Sequence, residues 1–186
     1  SRLSISAIGV YGRDRYEDEL SHAKGLYNNE TRAWLGAKVQ WEHYPGDWRR
    51  SWFSMGYTLE AVNSNHPRFG NEMSTILSSP RYAPIPHSKM IYMPEFFANR
   101  YAALGVMPTF KLVPNLYLRG GVYAMLRDPI GTQDYMHYIT DLSFVYHSPV
   151  GPVSLSVTKY DIKTSNSLYV MFNFGQPIFG GKGMFY

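Results

Sequence analysis

Leu116-Tyr-Leu-Arg-Gly-Gly-Val-Tyr-Ala-Met-Leu-Arg127 decides the fold. Its even positions, Leu116, Leu118, Gly120, Val122, Ala124 and Leu126, are apolar, whereas the odd positions carry Tyr117, Arg119, Tyr123 and Arg127 together with Gly121 and Met125. A period of two sends successive side chains to opposite sides of a sheet, so the segment reads as a strand with one greasy face and one polar face. Ten residues tilted at about 45° is the span that a membrane β-strand needs. The alternation therefore predicts β-structure and, with charge confined to one parity, a bilayer setting.

The same alternation recurs over 3–12, 31–43, 50–62, 99–112, 115–127, 135–147, 152–160 and 167–176, which predicts about eight strands. Their connectors are unequal. Those after the second, fourth and sixth strands are tight and rich in turn formers (Tyr44-Pro45-Gly46-Asp47, Val113-Pro114-Asn115, Ser148-Pro149-Val150-Gly151), whereas those after the first and third run to about 18 and 36 residues. Short turns at one end and long loops at the other are the asymmetry of bacterial outer-membrane barrels, with the turns periplasmic. On that reading 1–186 is a single β-barrel or half-barrel domain. Residues 63–98 form a long extracellular or lumen-inserted loop, and 180–186 a periplasmic tail.

Charge placement sharpens the expectation, because a charge facing lipid at the midplane costs about 2–4 kcal/mol while one facing a wet lumen costs little. If the apolar parity marks lipid, the lumen parity collects Lys38, Glu42, Glu60, Lys111, Arg119, Arg127 and Asp141. Arg100 and Lys159 fall on the apolar parity, but at predicted outer strand ends, where a long side chain reaches headgroups. Arg119 and Arg127 are expected to face Asp141, with Glu60 and Lys38 on neighbouring walls, as an ion-pair network inside the lumen. Small residues on the same parity (Gly36, Ser54, Gly56, Ala103, Gly105, Gly121, Ser143, Ser154, Ser156) suit a narrow interior, or a wide one that a loop fills.

Composition agrees with this class. The chain has 16 Tyr, 10 Phe and 4 Trp among 186 residues, an aromatic load suited to the rims of a membrane barrel, and no apolar run long enough for a membrane helix. It has no cysteine, which excludes disulfides and thiolate-held metals. A net charge of +4 without a Lys/Arg cluster argues against nucleic acid as a partner. Ser1–Val10 lacks the basic and apolar regions of a signal peptide, so the chain is expected to be the tail of a longer polypeptide.

The last strand reads Leu168-Tyr-Val-Met-Phe-Asn-Phe-Gly-Gln-Pro-Ile-Phe179. Its Asn173, Gly175 and Ile178 resemble the terminal signal by which bacterial barrels are recognised for assembly, which implies the barrel assembly machinery as a partner. An unpaired terminal strand of low charge can dock on an open sheet edge through backbone hydrogen bonds. Tyr146-His-Ser-Pro-Val-Gly-Pro-Val-Ser-Leu-Ser-Val157 resembles the penultimate hairpin of the barrel superfamily that includes the outer-membrane insertase, surface antigens and two-partner secretion translocators. Within it Ser148, Pro149, Gly151 and Pro152 make a turn, the prolines fixing φ and the glycine taking a conformation that other residues resist.

A narrower resemblance spans about 81–179. Pro84-Ile-Pro-His-Ser-Lys-Met-Ile-Tyr-Met-Pro-Glu-Phe-Phe-Ala-Asn-Arg-Tyr101, Leu104-Gly-Val-Met-Pro108, Leu118-Arg119 and the hairpin are similar to the C-terminal barrel of Bacteroidetes patatin-like phospholipases. The resemblance implies a bacterial outer-membrane location and an N-terminal patatin hydrolase domain. It also implies a sixteen-stranded barrel, of which this chain would be the C-terminal half, completed by the remainder of its own polypeptide or by a second copy. Residues 63–98 would then be the sixth outer loop, which in the superfamily carries Val-Arg-Gly-aromatic. This chain departs from that pattern, having only Pro67-Arg68-Phe69-Gly70 and Asn99-Arg100-Tyr101.

Hydrolytic chemistry is not written here. A patatin site needs a Gly-x-Ser-x-Gly elbow and a partner Asp, and no such elbow occurs. Ser54, Ser143, Ser154 and Ser156 stand in plain alternation. His22, His43, His66, His87, His137 and His147 are dispersed without metal-ligand spacing. The expectation is a non-enzymatic barrel with no catalytic residue, cofactor or metal, set in outer-membrane lipid, that anchors an acyl hydrolase and has a role in its export. An insertase, translocator or small transport barrel gated by 63–98 is the alternative. A soluble ligand-binding barrel would need an apolar interior, against the charge pattern.

Overall fold

Alternation becomes one eight-stranded antiparallel sheet in strict sequence order, β1 (Arg2–Arg13), β2 (Thr31–His43), β3 (Phe53–Ser64), β4 (Arg100–Val113), β5 (Leu116–Arg127), β6 (Met136–Ser148), β7 (Gly151–Tyr160) and β8 (Leu168–Phe174). The structure is a computed structural model that describes residues 1–13, 31–45, 52–67, 72–85, 88, 91–128, 135–149, 151–161 and 168–174. All eight predicted strands are present. Among the described residues β1 and β8 are the two edges of the sheet, with no pairing between them. The predicted 180–186 tail lies outside the described residues.

Registers explain why the rows stay separate. In the β6–β7–β8 meander Phe144 faces Leu155, which faces Phe172, and Leu142 faces Val157, which faces Val170. Ser143 faces Ser156, and Asp141 faces Thr158. In the β1–β2 pair Leu3 faces Trp41 and Ile5 faces Val39. Directly opposed residues point to the same side, so apolar side chains build one continuous surface and polar ones another.

Turn chemistry locks these registers. Pro114 holds its φ near −65°, and Asn115 adopts a left-handed φ of 68°, which asparagine tolerates, between β4 and β5. The β6–β7 turn closes with Ser148 opposite Gly151, whose φ of 142° is open only to glycine in practice. His147 pairs with Pro152, and the Ser148 hydroxyl donates to the Gly151 carbonyl at 2.5 Å.

The described parts of the connector between β3 and β4 are held by contacts among themselves. It holds a short helix α1 (Glu72–Ser78), a 3-10 turn at Pro94–Phe96 and an isolated antiparallel bridge between Arg81 and Phe97. Tyr82 N donates to Phe96 O at 2.9 Å and Ala98 N to Pro80 O at 3.0 Å. These bonds draw the two arms of the connector together.

The chain divides into two compact units. The first comprises Ser1–Glu42, Thr58–Gly105 and Ala124–His137, and the second His43–Tyr57, Val106–Tyr123 and Tyr138–Tyr186. The core of the first joins strand residues Val62, Tyr101, Ala103 and Met125 to connector residues Tyr82, Phe96, Phe97 and Ala98, all at most 7 % exposed. The core of the second is Met107, Tyr123, Ile139, Thr158 and Tyr160, at most 3 % exposed.

Candidate functional site

On β3 to β7 the buried positions fall on the parity that carries the polar side chains, and the other parity is the more exposed. On β5 Leu126 is 56 % and Val122 53 % exposed, whereas Arg127 is 3 % and Tyr123 2 % exposed. On β8 Leu168, Val170, Phe172 and Phe174 are all exposed. Gly56, Ala103, Gly105, Gly121, Ser143 and Ser156 are buried, so the small residues lie where bulk would collide. A Cβ on Gly121 would come within 2.7 Å of the Tyr123 ring, and one on Gly56 within 2.6 Å of the Tyr44 ring.

In the first unit the candidate charges are gathered around the connector. Lys38 on β2 pairs with Glu60 on β3 at 2.7 Å. Tyr101 on β4 donates its hydroxyl to the same carboxylate at 2.6 Å and lies 3.1 Å from the Arg81 carbonyl. Arg127 on β5 donates through Nη1 to the Phe97 carbonyl at 3.2 Å. The Arg81 guanidinium bonds the carbonyls of Ser88 and Ile91 and sits 5.1 Å over the Phe97 ring. Tyr101 and Arg127 thus reach from the strands to main-chain carbonyls of the connector, giving buried donors acceptors there. Glu42, also in this unit, is half-buried and accepts from Gln40 Nε2 at 2.9 Å.

The second unit handles charge differently. Asp141 accepts from the Ser143 hydroxyl at 2.8 Å and from Thr158 Oγ1 at 2.7 Å. Arg119 donates to the Met107 sulfur at 3.1 Å. Asp141 thus has hydroxyl partners within this unit, and Arg119 a sulfur. Thr158 stands directly opposite Asp141 in the register and Ser143 is its same-face neighbour, so hydroxyls reach the carboxylate first. Lys111 is half-buried, with its backbone N bonded to Trp52 O at 2.8 Å. Beside it the rings of Trp52, Phe53 and Phe110 form a cluster with centroids 4.9–6.2 Å apart.

Of the proposed assembly signal, Asn173 is exposed on β8 with its amide 3.4 Å from Ser154 Oγ, while Gly175 and Ile178 lie outside the described residues. Of the hairpin motif, Ser148, Pro149, Gly151 and Pro152 form the β6–β7 turn. Tyr101, Arg81 and Met107 were not singled out by charge parity. The available signal for Tyr101 was a large aromatic on the polar row of β4. Among the described residues no group of His, Cys, Asp or Glu could hold a metal ion. No family model, curated protein or solved structure matches the chain.

Proposed function

We propose that this chain is an outer-membrane β-barrel, or the C-terminal half of a larger one, that anchors an N-terminal patatin-like acyl hydrolase and has a role in its export. The observation that carries the membrane part is the inverted burial: Leu, Val and Phe rows lie open while Glu60 and Arg127 are 8 % and 3 % exposed. Water-soluble monomers rarely leave apolar patches beyond a few hundred Å² uncovered, and hydrocarbon tails are the natural cover for rows that continue over paired strands. The hydrolase part rests on the resemblance of 84–101 and of the β6–β7 hairpin to the patatin-like barrels. The open edges of β1 and β8 call for further strands or a second copy.

Two measurements test this. The chain should enter the detergent phase on phase separation and insert into lipid vesicles, and a folded monomer in detergent-free buffer would contradict it. The native polypeptide should have an intact mass well above 21.4 kDa, and a mass equal to it would remove the attached hydrolase.

A gated translocator is the second reading, favoured by the grip of Tyr101 and Arg127 on the connector. Planar-bilayer conductance that depends on residues 63–92 would support it. The soluble ligand-binding barrel fares worst, because the buried row carries the charges.

A further inference from the structure

At the connector-bearing end of the strands, two charges stand on the apolar row. Arg100 opens β4 and Asp128 follows the last residue of β5, both exposed, and Asp128 N donates to Arg100 O at 2.9 Å. They share a recess of about 440 Å³, whose walls include Ala102, Leu126 and Tyr135. Below them the same row continues as Ala102, Leu104 and Leu126, the two leucines each 56 % exposed. Among the described residues no ion pair ties Arg100 to Asp128 or to any other residue. A cation and a carboxylate thus stand on residues joined by one backbone hydrogen bond, above an apolar track and beside an exposed tyrosine.

We propose that this recess seats a membrane lipid with a phosphoethanolamine headgroup, an inference that rests on the membrane reading above. The phosphate would meet the Arg100 guanidinium, whose planar fork matches phosphate oxygens, and the ammonium would meet the Asp128 carboxylate. A headgroup with phosphate alone leaves Asp128 unpaired beside a like charge, whereas the zwitterion answers both groups. The acyl chains follow Ala102, Leu104 and Leu126 away from the charges, which selects the lipid over free phosphoethanolamine.

The test is lipid retention by native mass spectrometry of the full chain released from nanodiscs holding equal phosphatidylethanolamine and phosphatidylglycerol. Wild type should retain phosphatidylethanolamine in preference by roughly three-fold, the size that exposed ion pairs support. Asp128→Asn should bring the two lipids level, and Arg100→Gln should lower retention of both, with β-circular dichroism unchanged in each. Equal retention by wild type, or a preference that survives both substitutions, overturns the proposal. So does competition by millimolar free phosphoethanolamine, since the apolar track would then contribute nothing. A chain that enters nanodiscs but lacks the preference sinks this inference alone, whereas one that stays folded and soluble without them sinks the membrane reading and this with it.

Discussion

The two rows of β5 differ in what solvent must do for them. Val122 and Leu126 are more than half exposed, while their sequence neighbours Tyr123 and Arg127 are almost wholly covered. In a water-soluble sheet the greasy row is the one that packs. Here the row that packs holds ionised and hydroxylated side chains, and it does so by giving each a partner: a lysine and a tyrosine for Glu60, a connector carbonyl for Arg127, two hydroxyls for Asp141. The apolar row has no protein partner among the described residues beyond its own flanking strands. The contrast is what supports the proposed membrane setting: polar satisfaction organises the buried row, and under that proposal lipid covers the greasy one.

The most severe way to break that contrast is to place a charge on the exposed row. Val122→Arg should cost about 2–4 kcal/mol in unfolding from lipid vesicles, whereas the same change at a half-exposed position of a soluble sheet would cost under about 0.5 kcal/mol. Next comes the buried row. Glu60→Gln removes the charge that Lys38 and Tyr101 share and should destabilise by about 2 kcal/mol, read from the same unfolding curves. Asp141→Asn retains an oxygen for one of its two hydroxyls and should cost about 1 kcal/mol. Equal effects would mean that an ion-pair partner and neutral hydroxyl partners are equivalent.

Packing supplies a finer comparison. Gly121→Ala drives a methyl into the Tyr123 ring, which is 2 % exposed and has nowhere to go, and should cost about 1–3 kcal/mol. Gly56→Ala meets the half-exposed Tyr44 ring, which can swing aside, and should cost less. The smallest expected effect is at His66, just past β3, where burial holds the imidazole below its ordinary value of 6.5. A depressed histidine contributes stability above about pH 6.5 that is lost as pH falls toward the folded value. Lowering pH from 7 to 5 should therefore lower the amide protection factors around Asn65–Pro67, read after correction for the pH dependence of intrinsic exchange, where His66 N meets Ser64 Oγ and Asn99 Nδ2 meets His66 O.

Strands and faces were legible in the sequence because a period of two is local: the alternation of 116–127 states which side chains share a side without reference to the rest of the chain. The turns were legible for the same reason, since Pro114-Asn115 and Gly151 carry their backbone preferences with them. Partners were not. Arg127 ends on the carbonyl of Phe97, 30 residues away and in a connector that carries no periodic signal. Asp141 turns to Thr158 because of a register that no single strand encodes. Helix α1 was missed because its seven residues, at 72–78, are too few to display a helical period.

Spin labels placed singly along β5, at Leu118, Val122 and Leu126 and at Arg119, Tyr123 and Arg127, test the central claim in the reconstituted chain. Oxygen concentrates in hydrocarbon and a nickel chelate stays in water. The account predicts that the Leu/Val labels relax with oxygen and are shielded from nickel, with the polar-row labels reached far less by oxygen. Nickel reaching Val122 as readily as a loop site would contradict it.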